Sequence, residues 1–235
     1  KGQLPVTFLR NKRFYHLVII DMGNQISPDE IRVLLKMHDH RLQEGRFFFT
    51  DVPSDFRPAK NLDERVLTDR NRWSAWRRSN FDYFEKILAD IPADKILIEL
   101  GTGPGRFRNL FKKFKYIGID FYPFELVKII ADITKPLPLK DNVCDIVLLS
   151  NVLEHVNEPE LLLRECCRIL KPGGILLGAV PFLGDVHQEP YDFLRYTNYM
   201  LEYLFKKSGF RDAEIDTLTT PLEVYEGVQR IFFER

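Results

Sequence analysis

The run Ile96-Leu97-Ile98-Glu99-Leu100 breaks into Gly101-Thr102-Gly103-Pro104-Gly105. This junction constrains the fold more than any other stretch of the chain. The apolar run is long enough for one buried strand and too short for a helix. Three glycines at spacing two let the backbone turn sharply and approach a ligand, because no Cβ stands in the way. Phe107, Leu110, Phe111 and Phe114 then recur at three- and four-residue spacing, which predicts a helix. Strand, glycine turn and helix together are the geometry of a nucleotide-type cofactor site at the carboxyl end of a parallel strand.

The downstream sequence repeats the alternation. Strands are predicted at 115–120, 128–133, 141–152, 175–180 and 210–219, and helices at 159–170 and 197–208. Such alternation implies an α/β fold with a doubly wound, mainly parallel sheet. Residues 182–196 form a non-periodic insertion, and the tail from Pro221 stays open between helix and strand. Upstream, a helix is predicted from Asp63 to Asp90, with Trp73, Trp76, Phe84, Ile87 and Leu88 near one face. Residues 1–60 read as a small α/β appendage, with strands at Phe14–Ile20 and Gly45–Asp51. Its helix is announced by the Ser27-Pro28-Asp29-Glu30 capping signal. Pro53 and Pro58 punctuate a linker to a second unit at 61–235.

No apolar run approaches the roughly 18–20 residues that span a bilayer. No signal-like leader is read, and a reducing cytoplasm is the expected compartment. The three cysteines, Cys144, Cys166 and Cys167, have no metal-ligand spacing and read as filler. Because no cysteine precedes Cys144, a zinc ribbon in the appendage is excluded. The net charge is zero but uneven: residues 1–80 carry fifteen Lys and Arg against ten Asp and Glu. The excess gathers between Arg57 and Arg78. That segment reads either as a solvated helix face or as a place for a phosphate-bearing substrate.

Glu99 decides the cofactor class. A diphosphate wants backbone N–H groups at a helix N-terminus and no acid beside them. Here an acid stands two residues before the first glycine, and the spacing is G-x-G-x-G rather than G-x-G-x-x-G. A sulfonium cofactor, cationic and free of phosphate, suits that acid. Asp120 ends the next strand 21 residues after Glu99, the position of an acid that accepts from ribose hydroxyls. Phe121 and Tyr122 follow and would lie against adenine or ribose.

Glu99–Gly105, Gly118-Ile119-Asp120, Asp132, Cys144–Val147, Asn151–Val156 and Leu170–Gly174 resemble, in order, the motifs of the class I S-adenosylmethionine-dependent methyltransferases. The similarity is greatest to the branch that includes the ubiquinone and menaquinone biosynthesis enzymes, the type 11 methyltransferase domain, and spans residues 63–219. It implies a Rossmann-like sheet and S-adenosylmethionine as cofactor. Gly101, Gly103 and Gly105, with Thr102 between them, would approach the methionine part. Glu99 would sit beneath this turn. Asp120 would hold the ribose, Asp132 the adenine amine with Ile133 on the ring, and Ser150 and Asn151 would face the transfer site.

Methyl transfer from a sulfonium needs a positioned nucleophile and, for a hydroxyl, a base. Two stretches offer one. In Asn151-x-x-Glu154-His155, some quinone O-methyltransferases of the branch have an acid at the first position, and E-x-x-E-H binds a divalent metal there. Asn151 replaces that acid, so no metal is expected and activity is expected to survive a chelator. His155 stays a candidate catalytic residue. The second stretch, His187–Thr197, concentrates titratable groups after the fifth core strand. His187 is the leading base, with Asp192 orienting it or Arg195. Arg195 reads equally as a substrate anchor or a loop brace. The expected acceptor is a small molecule, glycan or lipid-type molecule methylated on oxygen. RNA methylation or a non-catalytic cofactor-binding module are the alternatives. Zero net charge and Ser150-Asn151-Val152-Leu153, where amino-group methylases carry an N/D-P-P-aromatic motif, weigh against nucleic acid.

Overall fold

The computed structural model describes residues 4–6, 26–36, 40–52, 69–184, 186–218, 220, 222 and 225. The strand expected at Phe14–Ile20 and the Pro53–Pro58 linker lie outside these residues. A short strand β1 (Leu4–Val6) precedes helix α1 (Pro28–Leu34) and the hairpin β2 (Arg41–Gln43) and β3 (Arg46–Phe48). Helix α2 (Ala75–Ala89) leads to β4 (Ile96–Leu100), β5 (Lys115–Asp120), β6 (Val127–Ile130) and β7 (Cys144–Ser150). Helix α3 (Pro159–Ile169), β8 (Leu170–Ala179), helix α4 (Asn198–Lys207) and β9 (Phe210–Ala213) follow.

Seven strands form one sheet in the order β2-β3-β6-β5-β4-β7-β8, parallel except for the β2–β3 hairpin. β1 pairs with β9 in a separate parallel pair. From β4 the chain builds outward through β5 and β6, then returns to add β7 and β8 on the other side. The order therefore reverses between β4 and β7, and in open α/β sheets ligands bind at the carboxyl ends of the strands at such a reversal. β4 and β7 are apolar because both faces are covered: Leu97, Ile98, Leu100 and Ile146–Leu149 are all buried.

Successive strand residues serve opposite faces. Ile98, Leu100, Val147 and Leu149 share one core with Ile31, Leu35, Leu163, Leu204 and Phe205. Leu97, Ile146 and Leu148 share the other with Phe81, Phe84 and Leu88 of α2. Phe84 is wholly buried, and removing such a ring costs about 3–5 kcal/mol. Asp145 pins three strand starts, accepting from Ile96 N at 3.0 Å, Lys95 Nζ at 3.1 Å and Lys171 Nζ at 2.9 Å.

The described part of the N-terminal sixty residues joins this body. The α1 capping box forms as expected, with Ser27 and Glu30 satisfying each other's backbone N–H groups. Ile26, Ile31, Leu35 and Phe47 enter the main core, and β3 extends the sheet at β6. Other elements differ in extent. The expected 63–90 helix is described from Ala75, after a 3-10 turn at Arg70–Arg72. The strand expected at 210–219 ends at Ala213 and pairs with β1 rather than with the main sheet. Among the described residues no helix is long and apolar enough to cross a membrane.

The largest correction follows the glycine turn. No α-helix forms over 107–114, only turns and a 3-10 segment at Arg108–Leu110. Just nine residues separate Gly105 from Lys115. In that length the chain must return to the start of β5, which leaves no room for a helix of several turns. The aromatic spacing still does its work, since Phe107, Phe111 and Phe114 are buried in the α2-side core.

Candidate active site

The glycine turn is built of three left-handed residues, with φ of +72° at Gly101, +52° at Gly103 and +75° at Gly105. The three have different neighbours. A Cβ on Gly101 would stand 2.5 Å from Val152 Cγ2, and one on Gly105 would stand 2.5 Å from Leu126 Cδ1. A Cβ on Gly103 would meet nothing within 4 Å. The outer two glycines therefore let the turn pack onto its own fold, and the middle one fronts open space. Thr102 braces the turn, its buried hydroxyl donating to Glu99 O at 3.2 Å. From α2, the buried Arg77 donates to Arg106 O at 2.8 Å while its guanidinium lies 4.1 Å from the Trp73 ring centre.

Glu99 lies inside the sheet beneath this turn. Its Oε2 accepts from the Tyr116 hydroxyl at 2.5 Å, and the Tyr116 ring stacks on Phe111 at 4.8 Å. Burial pushes its carboxyl up to about 8, against the pull of the Tyr116 hydrogen bond. Tyr116 was not legible as a site residue, since a tyrosine inside a strand reads as core.

Asp120 closes β5 and faces the turn. Oδ2 accepts from Gly103 N at 2.8 Å and Oδ1 from Tyr122 N at 3.0 Å. Phe121 N also donates to this carboxylate, and since a carboxylate offers about four acceptor positions, about one remains for a ligand hydroxyl. Asp132 lies two residues past the end of β6. Its Oδ1 accepts from Thr134 N at 2.9 Å and from the Thr134 hydroxyl at 2.7 Å, which leaves Oδ2 for an outside donor. Ile133 and Phe121 are both half-buried beside these acids. Asp120 flanks the open face at Gly103, as suits a ligand with hydroxyl or cationic groups, while Arg108 is engaged with Pro104 O at 3.1 Å and Gly105 O at 3.3 Å.

The carboxyl end of β7 carries a run of unpartnered polar atoms. Ser150 Oγ, Asn151 Oδ1, both Glu154 carboxylate oxygens and His155 Nε2 are buried with no hydrogen-bond partner among the described residues. Buried polar groups are normally paired, so such a run makes this end of β7 a candidate ligand site. Asn151 and Gln188 also hold the left-handed conformation, at φ of +54° and +56°. Non-glycine backbones in that region gather at functional sites.

The described residues of the 182–196 insertion fold over this end of the sheet. Phe193 N donates to Glu154 O at 2.9 Å, the His155 ring binds Tyr191 O through Nδ1 at 2.7 Å, and Tyr196 OH donates to Leu153 O at 2.8 Å. These ties place His187 beside His155, with ring centres 4.8 Å apart and planes at 86°. His187 Nδ1 lies 3.3 Å from Asp192 Oδ2, and His187 Nε2 lies 4.0 Å from Glu154 Oε1. Arg195 grips Asp192 with two nitrogens, at 2.6 and 2.8 Å, which holds that carboxyl well below the usual carboxylate range. Arg195 is thus a loop brace. Glu154, read from sequence only as a neighbour of His155, is the centre of the group, and burial pushes its carboxyl up to about 7. The N-x-x-E-H spelling was the one signal that pointed to it.

Where it is described, the basic stretch is engaged with its own fold. Arg70 pairs with Asp82, Arg72 with Asp69, Arg77 is buried, and Arg78 donates to Trp73 O. Arg57, Lys60 and Arg65 lie outside the described residues.

Residues 98–178 match the model of the methyltransferase domain. An uncharacterized methyltransferase of Mycobacterium leprae is 33% identical over 99 residues, 37% of this chain and 37% of its own length. An uncharacterized protein of Methanocaldococcus jannaschii is 42% identical over 94 residues, 37% of this chain and 41% of its own. The chain thus matches well under half the length of these curated relatives. The solved structure of an S-adenosylmethionine-dependent methyltransferase from Archaeoglobus fulgidus shares the fold, with a TM-score of 0.50 at 18% identity, covering 74% of this chain and 94% of that one. Residues 98–178 therefore carry a methyltransferase domain, on the fold seen in S-adenosylmethionine-dependent methyltransferases, which implies S-adenosylmethionine as the cofactor.

Proposed function

We propose that this chain methylates an oxygen nucleophile of a small-molecule, glycan or lipid-linked acceptor, working from residues 61–235 with a sheet edge supplied by the N-terminal segment. The observation that carries this reading is the juxtaposition at one end of the sheet. An open glycine turn flanked by Asp120 stands beside a β7 terminus lined with unpartnered acceptors and roofed by two imidazoles. When bound, the cofactor supplies a methyl group on a positively charged sulfur. Gly103, Asp120 and Asp132 would hold it, with Ser150 and Asn151 toward the transferred group.

Removing the acceptor's proton then falls to His187. Asp192 Oδ2 lies 3.3 Å from its Nδ1, and its Nε2 lies toward Glu154 at the β7 terminus. Asp192 is itself fixed by Arg195, so the imidazole is held in one orientation. His155 is committed through Nδ1 to Tyr191 O and is the lesser candidate. The three free cysteines accord with a reducing compartment, as expected of a cytoplasmic enzyme.

The test is methyl uptake from labelled cofactor into fractionated cell extract, with a solvent-base assay on the recovered product to separate oxygen from nitrogen linkage. Labelling of a hydroxyl by the wild type and none by His187→Ala is expected. Labelling of nitrogen, or equal labelling by the variant, would reject the oxygen reading. The partners that Arg70, Arg72, Arg77 and Arg78 find within the fold weigh against RNA. Any RNA binding is expected to be absent or insensitive to salt, whereas a steep fall with added salt would favour a nucleic-acid acceptor.

A further inference from the structure

Glu154, His155 and His187 bring three ligand atoms together from two separate segments of the chain. Their ligand atoms all lie within 4.8 Å of one another. Glu154 Oε1 is 3.8 Å from His155 Nε2 and 4.0 Å from His187 Nε2. The Glu154 side chain is wholly buried, and neither of its oxygens has a hydrogen-bond partner among the described residues. A buried carboxylate in that state costs several kcal/mol unless a cation or a proton meets it.

The His155 imidazole is held in the form a metal requires. Tyr191 O can only accept, so His155 carries its proton on Nδ1, and the Nε2 lone pair points to the cluster. His187 has Asp192 Oδ2 3.3 Å from its Nδ1, with Arg195 behind that carboxylate. Metal-bound histidines almost always place their second nitrogen on a carbonyl or carboxylate in this way. With metal–ligand bonds of about 2.0–2.1 Å, tetrahedral ligand atoms stand about 3.4 Å apart. The two carboxylate edges, at 3.8 and 4.0 Å, therefore need to close by about 0.5 Å, and the edge between the imidazoles, within 4.8 Å, by up to about 1.4 Å.

We propose that Glu154, His155 and His187 form a binding site for a divalent first-row transition cation such as Zn2+. Two imidazoles and one carboxylate are a ligand set that such ions favour, and three protein ligands leave a coordination position open. Asn151 led to the expectation of no metal, because it stands where an acid would complete an E-x-x-E-H set. His187, 32 residues beyond His155, supplies the third ligand from the folded-over insertion instead. The inference rests on the methyl-transfer reading only in placing the cation on the acceptor side of the site. A bound cation and a proton compete for the His187 Nε2 lone pair, so the occupied form does not use His187 as base.

The test is calorimetric titration of untagged, chelator-stripped protein with Zn2+, repeated with Co2+ while its visible absorption is followed. Wild type is expected to bind one equivalent of each and to give the absorption of a nitrogen- and oxygen-ligated Co2+. Glu154→Gln and His187→Ala are each expected to weaken binding by at least 10–100-fold (the loss typical of a disturbed metal shell). S-adenosylmethionine affinity, measured on the same samples, is expected to stay unchanged. Equal Zn2+ affinity in wild type and both variants, or no binding by wild type, would overturn the cation site. Cofactor binding without cation binding leaves the methyltransferase reading standing and removes this inference; cation binding without cofactor binding does the reverse.

Discussion

The Tyr116 hydroxyl donates to Glu99 Oε2 at 2.5 Å within the sheet, directly beneath the glycine turn. Because burial raises the Glu99 carboxyl to about 8, the folded chain binds a proton there that the unfolded chain releases near its ordinary value of 4.5. Folded protein holds more protons than unfolded between these values, so this group's contribution to stability falls as pH rises from about 4.5 to about 8. Glu99→Gln imitates the protonated form. Denaturant midpoints of the variant and wild type are expected to lie close together at pH 5, and the variant's is expected to be higher at pH 8. A gap that does not widen with pH would show that Glu99 stays ionised throughout.

Gly101 and Gly103 share a backbone conformation and differ in what surrounds them. Gly101→Ala would bring a methyl group to 2.5 Å from Val152 Cγ2 on top of the left-handed strain. A loss of about 1–3 kcal/mol in unfolding free energy is expected from the strained backbone alone. Gly103→Ala meets open space, so its loss is expected to be smaller, near 1 kcal/mol. Its effect should fall on the cofactor, whose approach the methyl group obstructs. Paired denaturation and calorimetry check this: a Gly103→Ala variant with wild-type cofactor affinity would contradict the cradle.

His187→Ala is expected to lower turnover by about 10²–10⁴-fold, the usual contribution of a general base. Cofactor affinity should hardly change. Asp192→Asn keeps the shape of the loop but loses the charge that faces His187 Nδ1, so a smaller loss of turnover is expected. Steady-state kinetics in cation-free buffer with an acceptor found by the labelling screen, alongside cofactor calorimetry, separates the two effects. Normal turnover in His187→Ala would retire it as the base.

The β4 run, the glycine turn, Asp120 and the strand alternation were legible because they depend on neighbours in sequence. Apolar runs fix buried strands, and an acid at a strand end needs no distant partner to be placed. The 107–114 helix was misread because its aromatic spacing satisfies burial equally well in turns, and periodicity carries no information on how soon the chain must turn back. Glu154 and His187 were not legible as neighbours. They are 33 residues apart, and their meeting depends on Tyr196, Phe193 and Tyr191 tying the insertion to the 153–155 turn. Tyr116 escaped for the same reason, since only the register of β4 against β5 brings it to Glu99.

The central claim is that the turn after β4 and the acid at the end of β5 form one S-adenosylmethionine site. Calorimetric titration of S-adenosylmethionine into wild type and Asp120→Ala tests it most directly, with a thermal scan to show that the variant is folded. Hydrogen bonds to a charged group contribute about 1.5–3 kcal/mol, so the folded variant is expected to bind about 10–100-fold more weakly. Equal affinity in the two proteins would contradict the assignment.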